Sequence, residues 1–160
     1  MRYQDVMAGN GKSPMRFYIA TFGCQMNEYD TELVRSILID AGYVLTEDEL
    51  KADIIMLNTC SVRDNAHRKV FGNIHEIRHR RKGKPALFGI LGCMATGLRK
   101  ELLENKNLNL DFVVGPDSYK RLPAILEALR QMAEGGKAGG QWSELFCLLS
   151  SAFCLFSSRL

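Results

Sequence analysis

Five short runs of β-type residues punctuate the chain, with stretches of helical period between them. The first is 16–21, Arg-Phe-Tyr-Ile-Ala-Thr, and a brief second falls at 43–45. Residues 53–57 and 86–91 are too uniformly apolar for one-sided strands; they suit strands covered by helices on both faces. The last run is 111–114, closed by Gly115 and Pro116. Between the runs, Leu33, Val34, Ile37, Leu38 and Ala41 make one helical stripe, with Asn27 in the N-cap position and Asp30 three residues on. Ala66, Val70, Ile74 and Ile77 make a second stripe, opened by Asp64 or Asn65 and stopped by Gly83-Lys84-Pro85. Leu98, Leu102 and Leu103 mark a short third helix, and Pro123 opens a last one carrying Leu126 and Leu129. Alternation at this interval predicts a three-layer α/β domain whose mostly parallel sheet has about five strands joined by right-handed crossovers.

Three of the strand ends share a feature: Cys24 in Gly23-Cys24-Gln25-Met26-Asn27, Cys60 in Asn58-Thr59-Cys60-Ser61, and Cys93 in Leu91-Gly92-Cys93-Met94. The gaps of 36 and 33 residues are close to the length of one βαβ unit. Neighbouring parallel strands would bring all three thiols to the carboxyl edge of the sheet, where open α/β folds place their ligands. Thiolates suit soft metals. Three of them are one short of a closed structural zinc site and match a [4Fe–4S] cube with one iron left open. Gly23 and Gly92 would let the backbone approach a bulky group, and a helix N-terminus beside Cys24 would favour an anionic one. A cysteine after a buried strand is also an ordinary small core residue, and no CxxC pair is present, so both readings stand on spacing alone.

Composition narrows the class. With 160 residues, 46% hydrophobic and 24% charged, the chain fits one soluble globular domain that needs no staples. Five cysteines are an odd number and no signal-peptide order opens the chain, which points to the reducing cytoplasm and to metal binding or catalysis rather than disulfides. The longest apolar stretch is short of the roughly 20 residues of a spanning helix, so no membrane is expected as partner. Residues 1–15, with Gly9, Gly11 and Pro14, read as a flexible leader and 16–133 as the domain. Residues 134–160 read as a Gly-rich linker and an atypical apolar tail, whose Cys147 and Cys154 receive no role.

The net charge of +3 is unevenly spread: residues 63–84 hold eight Lys/Arg against two acids. Arg78, Arg80, Arg81, Lys82 and Lys84 cluster where a helix ends, which dipole complementarity and solvation explain; contact with RNA phosphates is the other reading. His67, His75 and His79 fall in the same basic helix, as solvated residues rather than partners of a nucleophilic cysteine. Gly89-Ile90-Leu91-Gly92 lacks the spacing of a phosphate-binding loop.

The three cysteine motifs in this order resemble the N-terminal domain of the radical-SAM methylthiotransferases, and among them the tRNA enzymes that methylthiolate N6-isopentenyladenosine beside the anticodon. The resemblance runs from about residue 16 to 133. It implies that Cys24, Cys60 and Cys93 ligate one auxiliary [4Fe–4S] cluster whose open iron carries the sulfur species to be delivered. It also implies tRNA as partner. In the family a following barrel domain holds a second cluster on CxxxCxxC and cleaves S-adenosylmethionine. No CxxxCxxC occurs in these 160 residues, and Thr96 stands where the family usually has Gln after Met-Ala. The pattern is that of a truncated or frame-shifted gene, inactive alone for want of the barrel. Two other readings remain open: a stand-alone iron–sulfur or sulfur-carrier module acting in trans with a radical-SAM partner, and an inert gene fragment. Gln25, Asn27, Asn58 and Arg63 are candidate contacts around the cluster or substrate, with capping and strand-end hydrogen bonding as the plainer role of the two Asn.

Overall fold

The apolar runs become strands β1 (Arg16–Phe22), β2 (Val44–Leu45), β3 (Ile54–Thr59), β4 (Leu87–Leu91) and β5 (Phe112–Val114), all parallel, in the order β2-β1-β3-β4-β5. The computed structural model describes residues 13–60, 64–105 and 107–134, without the side chains of 64–69, 99 and 134. Arg63, most of the leader, and the linker and tail with Cys147 and Cys154 lie outside the described residues. Between the strands run α1 (Gln25–Asp40), α2 (Asp64–Arg81), and the short α3 (Cys93–Gly97) and α4 (Arg99–Glu104). A 3-10 turn (Pro116–Arg121) then leads into α5 (Leu122–Glu134). One compact unit extends to Leu126. A second begins at Glu127, where Gln131 Nε2 donates to Glu127 Oε1 at 3.2 Å.

Every residue of β3 is buried, as a strand sandwiched between two layers requires. Its odd-numbered apolar residues, Ile55 and Leu57, share a core with Ile90, Val113, and the Val70, Ile74 and Ile77 stripe of α2. Its even-numbered ones, Ile54 and Met56, point to the opposite face. Among the described residues no helix is long and apolar enough to cross a membrane.

Helix α1 departs from the pattern read off the sequence. It begins at Gln25, so Cys24 and not Asn27 is the N-cap, and Asn27 is the third residue of the helix. The buried side of α1 is Asn27, Thr31, Val34 and Leu38, while Leu33 is 42% exposed. The reason is polar. Asn27 and Thr31 find hydrogen-bond partners on the sheet, and these turn the helix away from the orientation that its leucines alone would choose.

The basic end of α2 is only in part a solvated face. Arg81 is 4% exposed; its guanidinium donates to the Glu49 carbonyl and, at 3.0 Å, to the Pro85 carbonyl, pinning two loops to the helix end. Arg78 Nη2 donates to the Asn109 carbonyl at 2.6 Å and its guanidinium lies 4.2 Å from the Phe88 ring centroid. Arg80 pairs with Glu49 at 2.7 Å. His75 and His79 are exposed, as expected; the His67 side chain lies outside the described residues.

Beside Arg78, Asp111 Oδ2 accepts the Phe88 N–H at 2.7 Å, and burial raises the carboxyl above its ordinary range despite that bond and the arginine. A carboxyl raised in the folded state favours folding when protonated, and this contribution is lost as pH rises through the raised value. Asp111→Asn keeps an acceptor for Phe88 and removes the buried charge. Its stability at pH 7 is expected to equal or exceed the parent's, the two curves converging as pH falls toward 4. Urea titrations across that range check this, and a variant that loses stability only at neutral pH would contradict it.

Candidate metal centre

The three thiols follow the carboxyl ends of three adjacent strands. Cys24 comes two residues after β1, Cys60 one after β3 and Cys93 two after β4. Those ends are level: Phe22 pairs with Thr59, and Asn58 with both Thr21 and Leu91. In the order 2-1-3-4-5 the chain reverses its winding between β1 and β3, and doubly wound sheets bind ligands in the crevice at that point. Cys24 and Cys60 flank it. Cys24 and Cys93 are exposed, Cys60 is buried, and all three are free.

A buried amide network lies beneath them. Asn27 Oδ1 accepts from the Cys24 backbone N–H at 3.3 Å and from Cys24 Sγ at 3.5 Å. Asn27 Nδ2 donates to Asn58 Oδ1 at 3.0 Å, and Asn58 Nδ2 returns bonds to the Asn27 carbonyl at 2.8 Å and to Thr31 Oγ1 at 2.9 Å. Thr31 Oγ1 meets Thr21 Oγ1 at 2.7 Å. Asn27 and Asn58 are almost wholly buried, so each bond replaces one that water cannot supply. Cys60 is placed by its own N–H, which donates to the Phe22 carbonyl at 3.2 Å.

Gly92 closes the third side. Its φ of 90° lies in the left-handed range, and a Cβ there would stand 2.6 Å from the Thr59 carbonyl and 3.0 Å from Asn27 Nδ2. A Cβ on Gly23 would likewise run into the Asn27 side chain. These glycines therefore make room for the amide network, a use that the sequence did not reveal beside the close approach expected of them.

The backbone N–H groups of Met26 and Asn27 hold the Cys24 thiol below its ordinary value, and Cys60 adds a weaker hydrogen bond in the same direction. Cys24 and Cys60 thus follow the level ends of two paired strands. Cys93 is not drawn into one compact ligand set with them: among the described residues no three His, Cys, Asp or Glu gather closely enough for a single metal ion.

The profile of the family described as Uncharacterized protein family UPF0004 matches residues 16–115, which include all three cysteines and the whole amide network. The chain belongs to the UPF0004 family. Proteins named tRNA-2-methylthio-N(6)-dimethylallyladenosine synthase are similar to it. The one from Chloroherpeton thalassium is 46% identical over 123 residues, covering 76% of this chain and 26% of the relative. That from Chlorobium phaeobacteroides is 38% identical over 138 residues (86% and 31%), and that from Dictyoglomus thermophilum 48% over 115 (71% and 26%). The chain spans about a quarter to a third of the length of these curated relatives.

The donor set of this UPF0004 domain fits an iron–sulfur cube better than a lone ion. Thiolates on three corners of a cube stand farther apart than three around one metal, and the Cys24 thiol is already held below its ordinary value by the N–H groups of Met26 and Asn27. Sequence reasoning reached Asn27 and Asn58 but missed Thr21 and Thr31. The available signal was a threonine within the buried stripe of α1, four residues after Asn27. Gln25 is exposed and has no part in the network described here.

Proposed function

We propose that residues 16–133 form the auxiliary-cluster domain of a tRNA methylthiotransferase acting on N6-isopentenyladenosine in the cytoplasm, with Cys24, Cys60 and Cys93 as ligands of one [4Fe–4S] cluster. The observation that carries this reading is the placement of three free thiols on three level, adjacent strand ends, two of them flanking the switch point. When bound, such a cluster supplies one iron that no protein group fills. The chain's own residues supply the rest. Asn27 fixes the Cys24 loop, the β1–β3 ladder fixes Cys60, and the N–H groups at the start of α1 favour the thiolate over the thiol. The names of the relatives support a tRNA substrate. The second cluster and S-adenosylmethionine belong to a barrel domain, and these 160 residues hold no CxxxCxxC to serve one. We infer that methylthiolation requires a radical-SAM domain acting together with this one.

Anaerobic reconstitution with iron and sulfide tests the ligand set. About four irons per chain are expected by iron counting, with a cube signature by Mössbauer spectroscopy. Alanine at Cys24, Cys60 or Cys93 is expected to abolish stable loading, whereas Cys147→Ala retains it. Equal loss at Cys147, or no cluster in the parent, would refute the assignment.

A further inference from the structure

The amino edge of the sheet, opposite the cysteines, carries a cavity of about 250 Å³. Its walls are the last turn of α2, the loop after it and the start of β4, with Arg78, Arg81 and Lys84 lining it beside Pro85 and Phe88. A sharp reversal of the chain brings the cations together. Helix α2 ends at Arg81, Lys82 (φ 50°) and Gly83 (φ 80°) take left-handed backbone, and the Lys84 N–H donates to the Arg81 carbonyl at 3.0 Å. The cavity is smaller than the roughly 300–1,000 Å³ of pockets for drug-sized ligands, so it suits one small group.

Both arginines carry charge inside the protein without a direct counter-ion. Arg81 is buried, and its hydrogen bonds go to the neutral carbonyls of Glu49 and Pro85. Arg78 is half-buried and held over the Phe88 ring; its Nη2 donates to the Asn109 carbonyl, while its Nη1 meets no protein acceptor among the described residues. The Nε of each is buried without a hydrogen-bond partner. Asp111 attracts Arg78, and Asp53 and Glu49 attract Arg81, but only at long range. Glu49 pairs directly with Arg80 instead, and Asp53 with Arg16. A buried guanidinium short of acceptors is costly until an anion completes it. Phosphate oxygens point in several directions, whereas a carboxylate presents one planar pair. A phosphate can therefore meet donors from the helix end and from the loop at once.

We propose that this cavity is a phosphate site, in which Arg78, Arg81 and Lys84 receive one phosphate group, either from an RNA strand or as the free ion. The site is separate from the cysteine edge and needs no cluster; only the RNA source rests on the reading above.

The test uses the full, cluster-free chain at constant ionic strength, with inorganic phosphate and an unmodified RNA hairpin as probes. Calorimetric titration gives the affinity for phosphate, and fluorescence anisotropy of the labelled hairpin gives that for RNA. Saturable phosphate binding is expected, weakened about tenfold or more in Arg78→Gln and in Lys84→Glu. Lys82→Glu makes the same change of charge in the same loop but outside the cavity lining, and should keep the parent's affinity within about threefold. If Arg78→Gln loses its circular dichroism signal, Lys84→Glu, at an exposed position, decides alone. RNA binding that weakens in the same variants, and that phosphate competes away, identifies RNA as the source; RNA binding indifferent to them identifies the free ion. Absence of saturable phosphate binding overturns the proposal. So does an equal loss in Lys82→Glu, which would mean a diffuse basic face, or equal competition by acetate, which would mean no preference for phosphate. Iron uptake enters none of these outcomes, so failure of the phosphate site and failure of the cluster reading are told apart.

Discussion

Gly92→Ala is expected to lower folding stability by about 3–5 kcal/mol, a large share of the roughly 5–15 kcal/mol that a domain has. Two costs add. A backbone at φ 90° and ψ −166° is open almost only to glycine, and forcing another residue into such a region costs about 1–3 kcal/mol. The new Cβ would also press on the Thr59 carbonyl, which is strand backbone and cannot swing aside as a side chain would. Overpacking of that kind costs about 1–3 kcal/mol more. Gly97→Ala is the control. It lies in a helix with nothing within 4 Å of an added Cβ, and alanine there should be neutral or slightly stabilising. Urea unfolding of the two variants provides the comparison. A Gly92→Ala protein within about 1 kcal/mol of its parent would mean that the turn is not locked as described.

Asn58→Ala is the second large effect, expected at about 2–4 kcal/mol. The truncation takes away both bonds that Asn58 donates and leaves the Asn27 amide without its acceptor at a site only 1% exposed. The penalty comes mainly from that stranded donor. A double-mutant cycle with Asn27→Ala separates the terms, because removing both amides strands neither. A coupling of about 1 kcal/mol or more is expected between them, and simple additivity would show that the two side chains stabilise the fold independently.

Much of this architecture is legible in the chain because apolar residues report burial directly. Four of the five residues of the run at 53–57, from Ile54 on, lie in the all-buried β3, and Val70, Ile74 and Ile77 form the inner stripe of α2. The parallel order follows from alternation of strand and helix. What the sequence hides are the places where a polar group outcompetes an apolar one. Asn27 resembles an N-cap because asparagine caps helices frequently; its use inside the first turn depends on Asn58, 31 residues later, which no local pattern can reveal. The same reason exposes Leu33. Arg81 resembles a solvated cation until the folded chain brings the Glu49 and Pro85 carbonyls to it. The hydrogen bond between Tyr119 and Asp30, 89 residues apart, is beyond any motif. The cysteines stood out because three similar strand ends repeat along the chain, although the unequal exposure of their thiols did not.

The bonds among Asn27, Asn58 and Thr31 are made wholly within the protein. The strand ends that carry Cys24 and Cys60 therefore lose most of their conformational freedom when the chain folds, and little remains to be lost when a ligand arrives. An edge braced in this way behaves as a socket rather than as a clasp. Its backbone amides should exchange with deuterium slowly in the metal-free protein, and the protection of the Asn58 and Thr59 amides should change little after loading.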